Sequence, residues 1–152
     1  MAQGTDHIVG GVAVWLLFAY LLQSYITSFL TLLLVLVCAI AGSLFPDIDV
    51  KSKGQKFFYC LMAPAYIYLF AQKQYALCFL VGLFALLPIL TKHRGLFHRW
   101  WFLLTCASLW GLSLVRMFPH YTDLVSIGTI FFILGCLSHL LLDFGLFKMF
   151  VK

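Results

Sequence analysis

The sequence predicts an all-α, polytopic membrane bundle of about six transmembrane helices, forming one domain over residues 1–152. Two observations carry that reading. The chain is 64% apolar and only 10% charged, a composition outside the range of ordinary soluble domains. Its apolar residues also fall into long runs separated by short polar breaks, and about 20 such residues cross the roughly 30 Å hydrocarbon core of a bilayer.

The first run, Ile8 to Leu22, follows Thr5-Asp6, which can cap a helix and place His7 in its first turn at the membrane surface. No lysine or arginine precedes Lys51, so the expectation is an uncleaved first helix rather than a signal peptide. After a break at Gln23 to Tyr25 a second run, Ile26 to Phe45, ends at Pro46, whose ring cannot continue a helix. The exit segment Pro46-Asp47-Ile48-Asp49 is expected to be an extended turn with Asp47 and Asp49 on one side. The basic loop Lys51 to Lys56 precedes a shorter third run, Phe57 to Ala71, interrupted by Pro64.

A fourth run, Tyr75 to Leu90, leads into Thr91 to Trp100, where His93, Arg94, His98 and Arg99 are concentrated. Gly95 permits a sharp loop there with both imidazoles facing inward. Trp100 and Trp101 open the fifth run, to Val115, at headgroup level. Beyond the break at Arg116 to Asp123, a sixth run from Leu124 to Leu142 carries His139 and Asp143 in its last turns, and a short interfacial tail follows. Gly82, Gly111, Gly128 and Gly135 are expected at close helix contacts. The five cysteines each lie in an apolar run without a Cys-x-x-Cys pair, which suits small apolar residues rather than disulfides.

Six spans put the N-terminus, the loops after the second and fourth runs and the C-terminus on one side of the membrane. That side collects Lys51, Lys53, Lys56, Lys92, Arg94, Arg99, Lys148 and Lys152, against Lys73 and Arg116 opposite. By the positive-inside rule both termini are then cytoplasmic. The net charge of +5 is spread over loops and forms no stripe, so no direct nucleic-acid partner is expected.

His7, Asp47, Asp49, His93, His98, His139 and Asp143 all fall on that same side, although charge counting used none of them. His120 and Asp123 fall opposite. His139 and Asp143 are four residues apart, hence on one helix face and about 6 Å apart along the axis. Taken singly, Asp47 and Asp49 read equally as a helix-stop turn, and His139 with Asp143 as a structural intramembrane pair. Together, these imidazoles and carboxylates suit two divalent ions, zinc, manganese or iron, sharing a bridging carboxylate. Asp49 and His98 are the candidate catalytic groups beside the ions, with Arg94 an anion clamp.

His7, Gly-Ser-Leu-Phe-Pro-Asp-Ile-Asp at 42–49, His-Arg-Gly-Leu-Phe-His at 93–98 and His-Leu-Leu-Leu-Asp at 139–143 together resemble a bacterial inner-membrane family described as metal-dependent hydrolases and sometimes as LexA-binding. Val50, Phe97 and Arg99 depart from that family's usual pattern. The resemblance implies a multi-span helical protein of the bacterial inner membrane, with a site similar in ligand type to zinc-dependent phospholipase C and P1 nuclease. The expected activity is hydrolysis of a phosphate ester or related bond in a lipid or membrane-proximal substrate. Two rival expectations are a non-catalytic metal-binding or metal-transporting membrane protein, and a membrane anchor for a cytoplasmic protein partner.

Overall fold

The computed structural model describes residues 4–90 and 95–151, with side chains for 5–90 and 95–145. It contains six α-helices, α1 Gly4–Leu21, α2 Phe29–Leu44, α3 Lys53–Ala71, α4 Tyr75–Leu90, α5 Trp100–Met117 and α6 Thr122–Val151, and no strand among the described residues. The all-helical bundle expected from the apolar runs is therefore the observed fold. Among the described residues, three segments are long and apolar enough to cross a bilayer: Phe29–Asp49, Trp100–Met117 and Pro119–Gly145.

The six-span expectation meets the structure only in part, and the reason is length. The apolar helices Thr5–Leu21 and Tyr75–Leu90 are shorter and reach only about 24–26 Å at 1.5 Å per residue. In α3 the first turn is Lys53-Gly54-Gln55-Lys56, so its apolar part begins only at Phe57.

Boundaries differ from the sequence reading where capping differs. Helix α1 already starts at Gly4, so Thr5 and Asp6 lie inside its first turn, where the carboxylate favours the positive end of the helix dipole. Helix α2 starts after Ser28, whose hydroxyl accepts from the Thr31 backbone N–H at 3.1 Å. The stretch Phe45–Asp49 is a 3-10 helix, not an extended turn. Proline's fixed φ suits the first positions of such a helix, so Pro46 ends α2 without straightening the chain. The expected interfacial tail continues α6 beyond Gly145, where a φ of 72° breaks the helix path. That conformation is open to glycine at no steric cost.

Helix α6 packs along α2, α1 covers both, and α5 lies on α6; α3 pairs with α4 and sits on the Phe45–Asp49 turn. The α2–α6 crossing is made by small residues. A Cβ at Gly42 would run into the Phe132 carbonyl, and one at Gly135 into the Ala39 carbonyl. Hydrocarbon gives helices no hydrophobic incentive to associate, so such backbone-to-backbone packing supplies much of the adhesion. Gly111 is tight against Thr129, whereas Gly82 has only Tyr66 at 3.8 Å and Gly128 has Cys38 and Leu34 at 3.4 and 3.5 Å. Among the described residues the buried core is divided into small clusters, around Val35, Ala39, Ile127 and Phe131, around Leu103, Cys136 and Leu140, and around Ile48, Phe58 and Phe97. Large apolar side chains such as Phe29, Leu30, Phe79 and Leu90 are exposed around the outside, as a lipid-facing surface requires.

The cysteines are free: Cys78 and Cys136 buried, Cys38 and Cys106 half-buried, Cys60 exposed.

Candidate metal centre

Four separate pieces of chain meet at one end of the bundle. Helix α1 brings His7, the turn after α2 brings Asp47 and Asp49, the 3-10 turn Leu96–His98 brings His98, and α6 brings His139 and Asp143. All three imidazoles are buried. His98 Nε2 lies 3.6 Å from Asp47 Oδ1 and 3.8 Å from Asp143 Oδ2. His139 Nε2 lies 3.6 Å from Asp47 Oδ1, and His7 Nε2 lies 3.9 Å from Asp143 Oδ1. The His7 and His139 rings stack with centroids 3.7 Å apart.

Close helix packing makes this possible. Gly11 sits one turn beyond His7 and against Ser43, where a Cβ would come within 2.7 Å of the Ser43 hydroxyl. The α1 backbone therefore approaches α2 closely enough for the His7 ring to reach His139. Gly42 and Gly135 do the same for α2 and α6, which carry the aspartate turn and His139.

The orientation of His139 is set by the backbone. Its Nδ1–H donates to the Ser43 carbonyl at 2.7 Å, and since a carbonyl can only accept, Nδ1 carries the proton. In the neutral ring Nε2 then presents its lone pair to the cluster, the arrangement found in metal-bound histidines. The aspartate turn is held by residues that sequence reading passed over. Ser52 caps α3, accepting from the Gln55 N–H at 3.1 Å while its hydroxyl donates to the Asp47 carbonyl at 2.7 Å. Gln55 Nε2 donates to the Ile48 carbonyl at 3.0 Å. The Ser-x-x-Gln spacing is a recognisable capping pattern, set among Lys51, Lys53 and Lys56. Such a cap contributes about 1 kcal/mol.

Asp49 stands on a different side from Asp47. Its Oδ2 is 3.9 Å from His98 Nδ1 and its side chain is fully buried, so the two carboxylates flank one imidazole rather than facing one point. A 3-10 helix of three residues per turn separates i and i+2 by about 120°, which explains the difference from an extended turn. His120, by contrast, is exposed and lies against Tyr121 in the turn between α5 and α6. His93 and Arg94 lie outside the described residues.

The donor atoms fit a metal shell. Gaps of 3.6–3.9 Å are too long for hydrogen bonds, but ligand atoms placed tetrahedrally at about 2.0–2.2 Å from an ion are themselves about 3.3–3.6 Å apart. His7, His139 and Asp143 form one such group and Asp47, His98 and His139 another, with donor atoms in each within 4.8 Å of one another. His7 Nδ1 and His139 Nε2 are buried without a hydrogen-bond partner, which an ion would relieve at Nε2. The groups overlap in His139, whose one available lone pair can serve one ion, so a second ion would need Asp47 or Asp143 as a bridge.

A helical membrane bundle with a buried histidine-aspartate centre at one end is the class these features define. Within that class, the chain belongs to the family described as YdjM inner membrane protein, whose model matches residues 1–146. No curated protein and no solved structure matches it.

Proposed function

We propose that this protein is a membrane-bound, metal-dependent hydrolase acting on a phosphate ester or related bond of a lipid or membrane-proximal substrate. The observation that carries this reading is the His139 geometry: one ring nitrogen tied to the Ser43 carbonyl, the other turned toward Asp47 Oδ1 at 3.6 Å within a shell of imidazoles and carboxylates. His7, Asp47, His98, His139 and Asp143 would hold one or two divalent ions, of which zinc best suits mixed nitrogen and oxygen donors. Such ions supply Lewis acidity toward a phosphoryl oxygen and acidify water.

The chain's own groups divide the remaining tasks. Asp49 lies on the Nδ1 side of His98 at 3.9 Å, and once that gap closes around a bound ion it would orient the ring and raise its basicity, as carboxylates behind metal-bound histidines do. Asp47 is the least buried acid of the cluster, with 19% of its side chain exposed, so it is the carboxylate best placed to take a proton from a reactant arriving from solvent. Arg94 and His93 neighbour His98 in sequence, and Arg94 is assigned to the anionic group of the substrate through its planar fork.

Elemental analysis of the detergent-purified chain tests the reading. The wild type is expected to hold at least one transition metal ion per chain and to hydrolyse phospholipid when loaded. Asp143→Asn, which alters a neighbour of both His7 and His98, is expected to lose most of the metal. A metal-free wild type would remove the basis of the proposal.

A non-catalytic metal site is the second reading, favoured by the burial of all three imidazoles, because structural metal sites are closed and catalytic ones keep an open position. It predicts a full metal complement with no hydrolysis. Passage of metal across the membrane fits less well, since the polar groups gather at one end instead of the midplane.

The cluster is assigned to the cytoplasmic side. Lys51, Lys53, Lys56 and Arg99 are exposed around it, and positive charge is retained on that face. In a cysteine-free background, Lys53→Cys is expected to react with a membrane-impermeant maleimide only after the cells are opened; labelling of intact spheroplasts would reverse the orientation.

A further inference from the structure

Beside the histidine-aspartate centre lies a half-open cavity of about 590 Å³ bordered by α2, α3, α5 and α6, with Phe84 of α4, a volume typical of a small-molecule site at roughly 300–1,000 Å³. Its wall is almost wholly apolar. The Ser113 and Thr129 hydroxyls line it, but each donates to a carbonyl of its own helix, Leu109 and Val125 respectively, at 2.8 Å. A polar occupant would therefore leave its donors and acceptors unmet, at a cost of several kcal/mol.

The cavity's length and position select among apolar occupants. Along α2 its lining runs from Leu34 to Leu44, about 15 Å at 1.5 Å per residue, and it continues to Leu114 of α5 and to Leu124 in the first turn of α6, a long apolar slot of the kind an extended acyl chain fills. One end is Ile48, the residue between Asp47 and Asp49, so cavity and centre share the 3-10 turn as a wall. Leu61 of α3 and Trp110 of α5 line it and are each 50% exposed, which leaves a lateral mouth toward the membrane between those helices.

We infer that this cavity seats one acyl chain of a membrane phospholipid, with the phosphate-bearing head at the Ile48 end beside the centre. The inference rests on the hydrolase reading for the fate of the head, and identifies the substrate class as a lipid drawn laterally from the bilayer. The chain seats by exclusion of polar contacts, and the shared turn sets the register between chain and head.

Photo-crosslinking tests it. The full-length protein is reconstituted in vesicles containing phosphatidic acid with a diazirine midway along one acyl chain, and adducts are mapped by mass spectrometry. Adducts are expected on Phe58, Met62 and Cys106 in excess of those on the lipid-facing Leu17 and Leu80. Ala107→Phe, on the cavity wall, should lower the cavity adducts about tenfold. Gly128→Leu gives an independent filling variant, because a Cβ there meets only ordinary contacts at 3.4 and 3.5 Å. Adducts spread evenly over both sets of residues, or unchanged in both filled variants, would overturn the inference and mark bulk lipid only. Metal content measured on the same samples keeps the two readings apart. Metal-loaded protein without cavity adducts sinks the lipid site alone; cavity adducts on a wild type unable to hold metal uphold the lipid site and sink the hydrolase.

Discussion

Replacing His98 with alanine is expected to weaken metal binding by at least about 100-fold, equivalent to about 2.7 kcal/mol, while leaving the helical content intact. His98 is the group on which the cluster converges, with Asp47 and Asp143 near Nε2 and Asp49 near Nδ1 at 3.6, 3.8 and 3.9 Å. Its loss removes a donor and leaves three carboxylates around the vacated space, where their mutual repulsion opposes closure. Asp49→Asn is the informative companion. If Asp49 acts through His98, that substitution costs about 10–100-fold in affinity, the range for groups that orient a ligand, and the metal remains bound at saturating concentration. Metal stoichiometry against a competing chelator, with circular dichroism as the folding control, reads both. Wild-type affinity in His98→Ala would exclude the ring as a ligand.

Enlarging Gly42 is the substitution expected to damage the fold most. A Cβ there meets the Phe132 carbonyl and lies 3.1 Å from the Cys136 nitrogen, both backbone atoms of α6 that cannot rotate away. Gly42→Ala is expected to destabilise by about 1–3 kcal/mol as overpacking does, and Gly42→Leu to prevent α2 and α6 from closing. Because α2 carries Ser43 and leads into Asp47 while α6 carries His139 and Asp143, metal binding should fail together with the melting temperature. Gly82→Ala is the control. With only Tyr66 at 3.8 Å, the added methyl should be neutral or stabilising by up to about 1 kcal/mol, the helix preference of alanine over glycine. Thermal melting in detergent reads the pair, and a Gly42→Leu protein melting with the wild type would contradict the packing described here.

The two glycines show where sequence reading reached its limit. Gly82, Gly111, Gly128 and Gly135 all qualify as close-packing positions by their setting in apolar runs, yet of these only Gly111 and Gly135 are tight, while Gly42 and Gly11 are tight as well. Small size is visible in a sequence; the face a helix turns to its neighbour is not when the helix is apolar all round, because no polar stripe marks the outside. The cavity was illegible for the same reason. Its lining comes from five helices and no local pattern distinguishes a residue facing a void from one facing lipid.

By itself the sequence determined that the chain is a helical membrane protein, and that His7, Asp47, Asp49, His98, His139 and Asp143 belong to one end of it. Hydropathy is a local, additive property, and with the alternation of apolar runs and polar breaks it suffices to sort these residues to one end of the bundle. Tertiary structure decided how those residues face one another: that Asp47 and Asp49 lie on different sides of the His98 ring, and that His139 donates to Ser43, 96 residues earlier. These relations depend on helix crossings set by backbone contact at Gly42 and Gly135, and on the 3-10 path taken after Pro46. Separations of a few ångströms between distant residues follow from such crossings, and no periodicity along the chain encodes them.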